Sequence, residues 1–256
     1  MLSMELSFWT YVFVCAMVFL AGFIDSIAGG GGLISLPAYY AAGLPPWLAA
    51  GTNKMGAFWG TAVATGNYAR KQYIPWKLGL AALAGSLPGS WMGAHLFTVI
   101  PEQTVRIAVL IALPIIAVFV LMNKDALTPK QRVPEKYMII TCFCIGLVVG
   151  IYDGLVGPGT GTFLQLLFVS LIGMEALNAA GAARLVNLGS NVGALVSLIS
   201  QGKVLYSLAL PAAAFGILGN YLGSNLAIKK GSKIIRALLI VVLGLLIAKM
   251  AYDVFM

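Results

Sequence analysis

The sequence predicts an all-α, polytopic membrane protein, and three observations lead to this fold class. Hydrophobic residues make up 60 % of the 256 residues and charged residues only 9 %, whereas a soluble domain has about 25 % charged residues. Apolar runs long enough to cross a bilayer recur along the whole chain. Nearly all charges lie in the short connections between these runs, which leaves no room for a separate soluble domain.

The hydrophobic segments fall into two lengths. A helix crosses the hydrocarbon layer with about 20 apolar residues, and most segments have this length: 7–28, 46–69, 76–98, 103–122, 137–156, 175–200, 206–228 and 233–252. Two shorter segments, 33–43 and 161–172, each follow a glycine-rich break. We expect these two to be half-helices or re-entrant segments, and the sequence leaves open whether they cross the membrane.

Basic residues set the expected orientation and account for the net charge of +8. Three connections, 70–77, 124–136 and 229–233, hold most of the lysine and arginine and face the cytoplasm by the positive-inside rule. No basic face or aromatic-basic motif accompanies them, so we expect no nucleic-acid partner. If both short segments cross, every connection obeys the rule and both termini lie outside, whereas re-entrant segments would change that placement.

The sequence offers no constellation for catalysis or for a cofactor. The three cysteines lie inside apolar runs, where they pack as small hydrophobic residues, and His95 is the single histidine. GPGTG lacks the lysine and the strand–helix context of a phosphate-binding loop. No nucleophile–base pair or catalytic carboxylate set adjoins the glycine breaks. We therefore expect a protein that is not an enzyme and that binds no metal or cofactor.

The two halves of the chain repeat one another. GFIDSIAGGGGLISLP aligns with GIYDGLVGPGTGTFLQ at an offset of 128, which places Asp25 on Asp153. Downstream the offset is 130, which places Lys54 on Arg184, and GSWMGAHL aligns with GNYLGSNL at the same offset. An offset that is kept over separated blocks indicates an internal repeat and not a chance match.

The repeat predicts an inverted architecture. Each half contains five hydrophobic segments, and an odd number makes the second half enter the membrane from the opposite face. The predicted units are residues 1–128 and 129–256. Such repeats place a binding site near the bilayer midplane, where Gly-broken helices meet, here at GGGG and GPGTG. Gly89 and Gly219 lie in aligned G-x-x-x-G runs, which we expect to let helices pack closely.

Three features of the sequence resemble the TauE/SafE family: the glycine-rich break after a D-x-x-x-G pattern, the helix start AGTNKM, and the aligned segment AGAARL in the second half. The resemblance covers essentially the whole chain. It implies a multi-pass protein of the bacterial inner (cytoplasmic) membrane that transports, and often exports, a small sulfur-containing anion such as sulfite or a sulfonate. It does not name the anion. Pro37 aligns with Gln165, so the two halves cannot make equivalent contacts there.

Lys54 and Arg184 carry the predicted substrate site. Lys54 lies about nine residues, or roughly 13 Å, into its helix, near the middle of a hydrocarbon layer about 30 Å thick. Arg184 has the matching depth from the other face. A charge at a helix centre costs about 2.5–3.5 kcal/mol, so each base needs a partner. Either a bound oxyanion is held bidentately by Arg184 and neutralised by Lys54, or both bases pair with Asp25 and Asp153 and pin the repeats together.

Residues around the breaks extend the predicted site. Gly30, Gly31 and Gly159 adjoin helix starts, whose free backbone N–H groups attract anions, and Thr160, Thr162 and Ser35 add hydroxyl donors. Side-chain amides near the bases complete the set: Asn53, Gln165, Asn187 and Asn191. Hydrogen bonding between helices is an equal alternative for these amides.

Asp25 and Asp153 come four residues before the breaks, near helix C-terminal ends, where a negative charge is unfavourable. Both are candidates to carry a coupled proton, and a fixed salt bridge is the alternative. The expected partners are a small anion, the lipid bilayer and protons, while a homodimer is compatible with the sequence and not required by it. The predicted function is a secondary transporter working by alternating access. A passive anion channel and a carboxylate or cation transporter remain open.

Overall fold

The computed structural model describes residues 6–100, 128–155 and 157–255, and these residues form helices without any β-strand. The α-helices of this described part are α1 Phe8–Ala28, α2 Gly32–Ala41, α3 Pro46–Arg70, α4 Trp76–Val99, α5 Met138–Leu155, α6 Thr160–Leu167, α7 Ala176–Ser200, α8 Tyr206–Lys230 and α9 Ser232–Phe255. A 3₁₀ turn, Glu135–Tyr137, precedes α5, and a π-helix, Phe168–Ile172, continues α6.

The predicted all-α fold is confirmed for the described residues. Three helical stretches there, Phe8–Ala28, Glu135–Leu155 and Ala176–Ser200, are long and apolar enough to cross a membrane by length and composition. The predicted segment 103–122, with its Arg106, lies outside the described residues. The five segments in each half and the inverted orientation of the halves stay predictions.

Both short segments are helical and begin just after a glycine break. α2 has 10 residues, which is about 15 Å at 1.5 Å per residue, or half the hydrocarbon thickness. The backbone reverses at positive φ, with 79° at Gly29 before α2 and 82° at Gly159 before α6. Glycine adopts this region at little cost, so it allows both sharp turns. Whether the two segments cross the membrane stays open.

The helix contacts are exchanged between the two halves. In the repeat alignment α1 corresponds to α5, α3 to α7 and α4 to α8. The contact of α1 with α8 is matched by the contact of α5 with α4. The contact of α3 with α8 is likewise matched by the contact of α7 with α4, and α3 packs on its own equivalent, α7. Each of these contacts therefore has a counterpart with the halves interchanged.

Glycine backbones bring the paired helices close together. Gly89 in α4 lies against the backbone of Leu147 in α5, and Gly219 in α8 lies against the backbone of Phe19 in α1. Neither glycine leaves room for a Cβ atom. Phe19 and Leu147 are themselves equivalent in the repeat alignment, so the predicted packing role of these glycines is confirmed in both halves.

The two glycine breaks lie against each other. Gly29 contacts the backbone of Thr162 with no space for a side chain. Thr162 Oγ1 donates to the carbonyl of Ala28 at 2.9 Å, and Gln165 Nε2 donates to the carbonyl of Ile27 at 3.4 Å. Carbonyl groups at the end of a helix have no partner within it. The start of α6 therefore caps the end of α1.

Candidate functional site

A cavity of about 60 Å³ lies where the glycine breaks meet the long helices. Both halves of the chain contribute to its wall. The predicted site residues on this wall are Asp25, Gly30, Gly31, Asn53, Lys54, Asp153, Gly159, Thr160, Asn187 and Asn191. Residues far apart in sequence thus converge on one small space with both polar and apolar surface.

Lys54 brings the ammonium group to the cavity. Its Nζ forms an ion pair with Asp153 Oδ2 and donates to Asn191 Oδ1 at 3.3 Å. Asn191 is fixed in turn because its Nδ2 donates to Thr61 Oγ1 at 3.2 Å. A lysine ammonium has three N–H bonds, and only two of them have partners within the described part of the chain. The third is available to a ligand in the cavity.

Asp153, at the end of α5, makes a second contact with a hydroxyl group. Thr160 Oγ1 lies 2.7 Å from Asp153 Oδ1 and also 2.7 Å from the carbonyl oxygen of Gly157. A hydroxyl carries one hydrogen, so it donates to one of these oxygens at a time. The left-handed backbone of Gly159 places Thr160 at the start of α6, directly beside the carboxylate.

Arg184 lies behind the cavity wall and not on it. Its Nη1 forms an ion pair with Asp25 Oδ2, and its side chain has no exposed surface. Nη2 lies so close to Gly161 that a Cβ there would collide with it. Nε and Nη2 have no hydrogen-bond partner within the described residues. The predicted contact between Arg184 and an anion therefore stays a prediction.

Asp25 contacts a backbone N–H group, whereas the equivalent Asp153 contacts the hydroxyl group of Thr160. Its Oδ1 accepts from the backbone N–H of Gly31 at 3.1 Å, and its Oδ2 accepts from Arg184. The side chain is 16 % exposed, and Asp25 lines the cavity.

The two ion pairs cross between the halves. Lys54 of the first half pairs with Asp153 of the second, and Arg184 of the second half pairs with Asp25 of the first. Both ion pairs of the salt-bridge alternative are therefore present, while the predicted anion binding stays a prediction. Because Lys54 also borders a cavity, its ion pair does not remove it from reach of a ligand.

Two predicted residues have structural contacts away from the cavity wall. Thr162 and Gln165 lie on α6 and bond to the end of α1 instead. Gln165 Oε1 has no partner within the described part of the chain.

Sequence reasoning missed two polar residues on the wall, Thr61 and Asn220. Thr61 is the repeat equivalent of Asn191, so the alignment held a signal for it: the bonded pair joins equivalent positions of α3 and α7. Asn220 lies on α8, its Nδ2 donates to the carbonyl of Gly216 at 2.9 Å, and its Oδ1 has no partner among the described residues. No local motif marks Asn220.

Comparison with known proteins identifies the family of this chain. The family model described as "Sulfite exporter TauE/SafE" matches residues 14–250. The chain is 38 % identical to "Probable membrane transporter protein ORF9" of Sinorhizobium sp, over 93 % of this chain and 91 % of that protein. It is 37 % identical to "Probable membrane transporter protein YfcA" of Escherichia coli K12, over 91 % and 87 % of the two chains.

A third relative, "Probable membrane transporter protein" of Haemophilus influenzae, is 32 % identical over 92 % of both chains. No solved structure matches the chain significantly. The relatives are named as membrane transporters, and the described helices include apolar stretches of membrane-spanning length. The chain is therefore a membrane protein that belongs to the TauE/SafE family of transporters.

Proposed function

We propose that the chain is a secondary transporter of a small oxyanion in the bacterial inner membrane, working by alternating access between two inverted repeats. The single observation that carries this proposal is the Lys54 ammonium on the wall of a cavity where both glycine breaks meet. A buried ammonium group is costly in a membrane and marks a binding or transport pathway by default.

The donors around the cavity suit an oxyanion. Lys54 supplies a positive charge, and the amide groups of Asn53 and Asn187 border the same space. The carboxylate of Asp153 already receives hydrogen bonds from Lys54 and Thr160 there. A soluble oxyanion that took the place of this carboxylate would find the same two donors.

The size of the cavity favours a compact ion. About 60 Å³ has room for about four to six water-sized groups at roughly 10–15 Å³ each. Sulfite, thiosulfate and a one-carbon sulfonate are of that size, whereas taurine needs a wider space. The description of the matching family, a sulfite exporter, supports a sulfur oxyanion and outward transport.

A short carboxylate is a second candidate for the cargo. The observation in its favour is that a carboxylate, that of Asp153, occupies the place beside Lys54. Acetate-sized anions also fit the cavity by volume.

Flux into proteoliposomes tests the proposal. Purified protein should give saturable uptake of at least one of sulfite, thiosulfate and methanesulfonate, and protein-free liposomes should not. Lys54→Gln should weaken the apparent affinity about tenfold or more, because a hydrogen bond to a charged group contributes about 1.5–3 kcal/mol. Lys71→Gln is the matched control, because Lys71 directly follows α3 and is exposed.

Other outcomes would contradict parts of the proposal. Uptake of short carboxylates alone would show that the cargo is a carboxylate and not a sulfur oxyanion, and it would leave the proposed anion site in place. Currents that do not saturate with concentration would indicate a channel. Cation uptake that survives Lys54→Gln would refute anion transport. Uptake compared between right-side-out and inside-out membrane vesicles determines the direction.

A further inference from the structure

We propose that Asp153 carries one proton with each transported monoanion, because the anion displaces Asp153 from Lys54 and the released carboxylate is neutralised by protonation. This inference rests on the proposed anion transport and names its coupling ion and the residue that binds it. The equivalent residue Asp25 does not have this role.

The side-chain charges around the cavity sum to zero before an anion arrives. The ionisable side chains on the described wall are Asp25, Lys54 and Asp153. Arg184 pairs with Asp25 from behind the wall. Two bases and two acids thus cancel, and an arriving monoanion would leave one uncompensated negative charge in a region with little water. A proton on Asp153 restores neutrality and leaves the Lys54 ammonium to the anion.

The hydroxyl group of Thr160 fits both protonation states of Asp153. When Asp153 is ionised, Thr160 Oγ1 donates to Asp153 Oδ1 at 2.7 Å. When Asp153 is protonated at Oδ1, the hydroxyl can turn to the Gly157 carbonyl, which is also at 2.7 Å, and accept the new O–H. The hydrogen-bond chain reverses without movement of a heavy atom.

Asp25 lacks such a reversible partner. Its Oδ1 accepts from the backbone N–H of Gly31, which can only donate. Its Oδ2 accepts from the guanidinium group of Arg184, which stays charged in proteins. Protonation of Asp25 would add an O–H donor that neither of these two partners can accept, and it would leave the fully buried Arg184 without a counter-charge. Asp25 therefore does not fit the role of the proton carrier.

The surroundings of Asp153 contain no other ionisable hydrogen-bond partner within the described residues. Lys54 approaches from α3 and Thr160 from α6. Asp25 on α1 and Arg184 on α7 belong to the second ion pair. Tyr152, the neighbour of Asp153 on α5, donates its hydroxyl to the carbonyl of Pro158 at 2.6 Å.

The transport step balances as follows. A proton and an anion enter the cavity from the same side, the proton binds Asp153, and the ion pair between Asp153 and Lys54 separates. The anion binds Lys54. When the cavity faces the other side, the anion leaves, Asp153 releases the proton to water, and the ion pair forms again. Outward transport by this step requires an outward anion gradient that exceeds the inward proton gradient.

Methanesulfonate is the probe that tests the inference. It is a compact monoanion of a strong acid, so it brings no proton of its own. Labelled methanesulfonate uptake and internal pH, reported by an entrapped dye, are measured in the same proteoliposomes. Wild-type protein should move one proton per methanesulfonate, and uptake should not respond to a potassium diffusion potential set with valinomycin. Uptake without proton movement would overturn the inference and leave the proposed transport intact.

Variants of Asp153 sharpen the test. Asp153→Asn should remove proton movement and make methanesulfonate uptake sensitive to the membrane potential, while Asp153→Glu should retain proton movement. Persistence of one proton per anion in Asp153→Asn would overturn the assignment to this residue. If Asp153→Asn does not fold, the wild-type ratio and its insensitivity to potential decide the matter. If wild-type protein transports no small oxyanion, the proposed function and this inference both fail.

Discussion

The two ion pairs occupy equivalent positions in the repeat and differ in everything around them. Lys54 borders the cavity, and its partner Asp153 is bonded to a hydroxyl group that can donate or accept. Arg184 is fully buried behind Gly161, and its partner Asp25 is bonded to a backbone N–H that can only donate. We propose that the first arrangement opens to a ligand and that the second keeps its ion pair.

Two ion pairs at equivalent positions of a repeat can therefore have different roles. Both pairs join the two halves, so both hold the repeats together. Only the pair at Lys54 combines a cavity, a free N–H bond and a reversible hydroxyl group among the residues that the structure describes. We therefore assign stability mainly to Arg184 and Asp25, and binding mainly to Lys54 and Asp153.

The largest expected effect is on stability at the buried pair. Asp25→Asn leaves the guanidinium group of Arg184 without a counter-charge in the interior, and loss of one partner of a buried ion pair costs about 3–5 kcal/mol. Thermal unfolding of the purified protein should show this loss. The double variant Asp25→Asn with Arg184→Met should recover much of it, because no charge is then buried alone. A single variant as stable as wild type would refute the structural role of this pair.

A smaller effect is expected at the helix contacts, where the two halves are alike. Gly89→Ala and Gly219→Ala each push a methyl group into the backbone of a neighbouring helix, which should cost about 1–3 kcal/mol. Gly66→Ala in α3 is the control: nothing lies within 4 Å of its Cβ position, so a gain of about 0.5–1 kcal/mol is expected. Thermal unfolding measures all three. A loss in one half only would argue against equivalent packing.

The smallest expected effect separates two threonines on α6. Thr160→Val removes the hydroxyl group that bonds Asp153 in both of its protonation states, so proton-coupled methanesulfonate uptake should fall about fivefold, which corresponds to about 1 kcal/mol. Thr160→Ser should restore uptake because it keeps the hydroxyl group. Thr162→Val, which loses only the bond to Ala28, should lower stability by about 1 kcal/mol and leave uptake unchanged. Equal uptake by both valine variants would contradict the reversible role of Thr160.

Much of this site was readable from the sequence because the repeat aligned it. Lys54, Arg184 and both aspartates stood out as charges at matched positions in apolar segments, and the glycine breaks marked the turns. The burial of Arg184 was not readable, because it depends on how α7 packs against Gly161 of another helix. The different contacts of Thr160 and Thr162 do follow from helical geometry, because side chains two residues apart on a helix point to nearly opposite sides.

The most direct test of the account is equilibrium binding of methanesulfonate to two variants in detergent at neutral pH, measured by calorimetry. If the anion and Asp153 compete for Lys54, Asp153→Asn should bind about tenfold or more tightly than wild type, and its affinity should lose its dependence on pH. Lys54→Gln should bind about tenfold or more weakly. Weaker binding in both variants, or unchanged binding in Asp153→Asn, would contradict the competition.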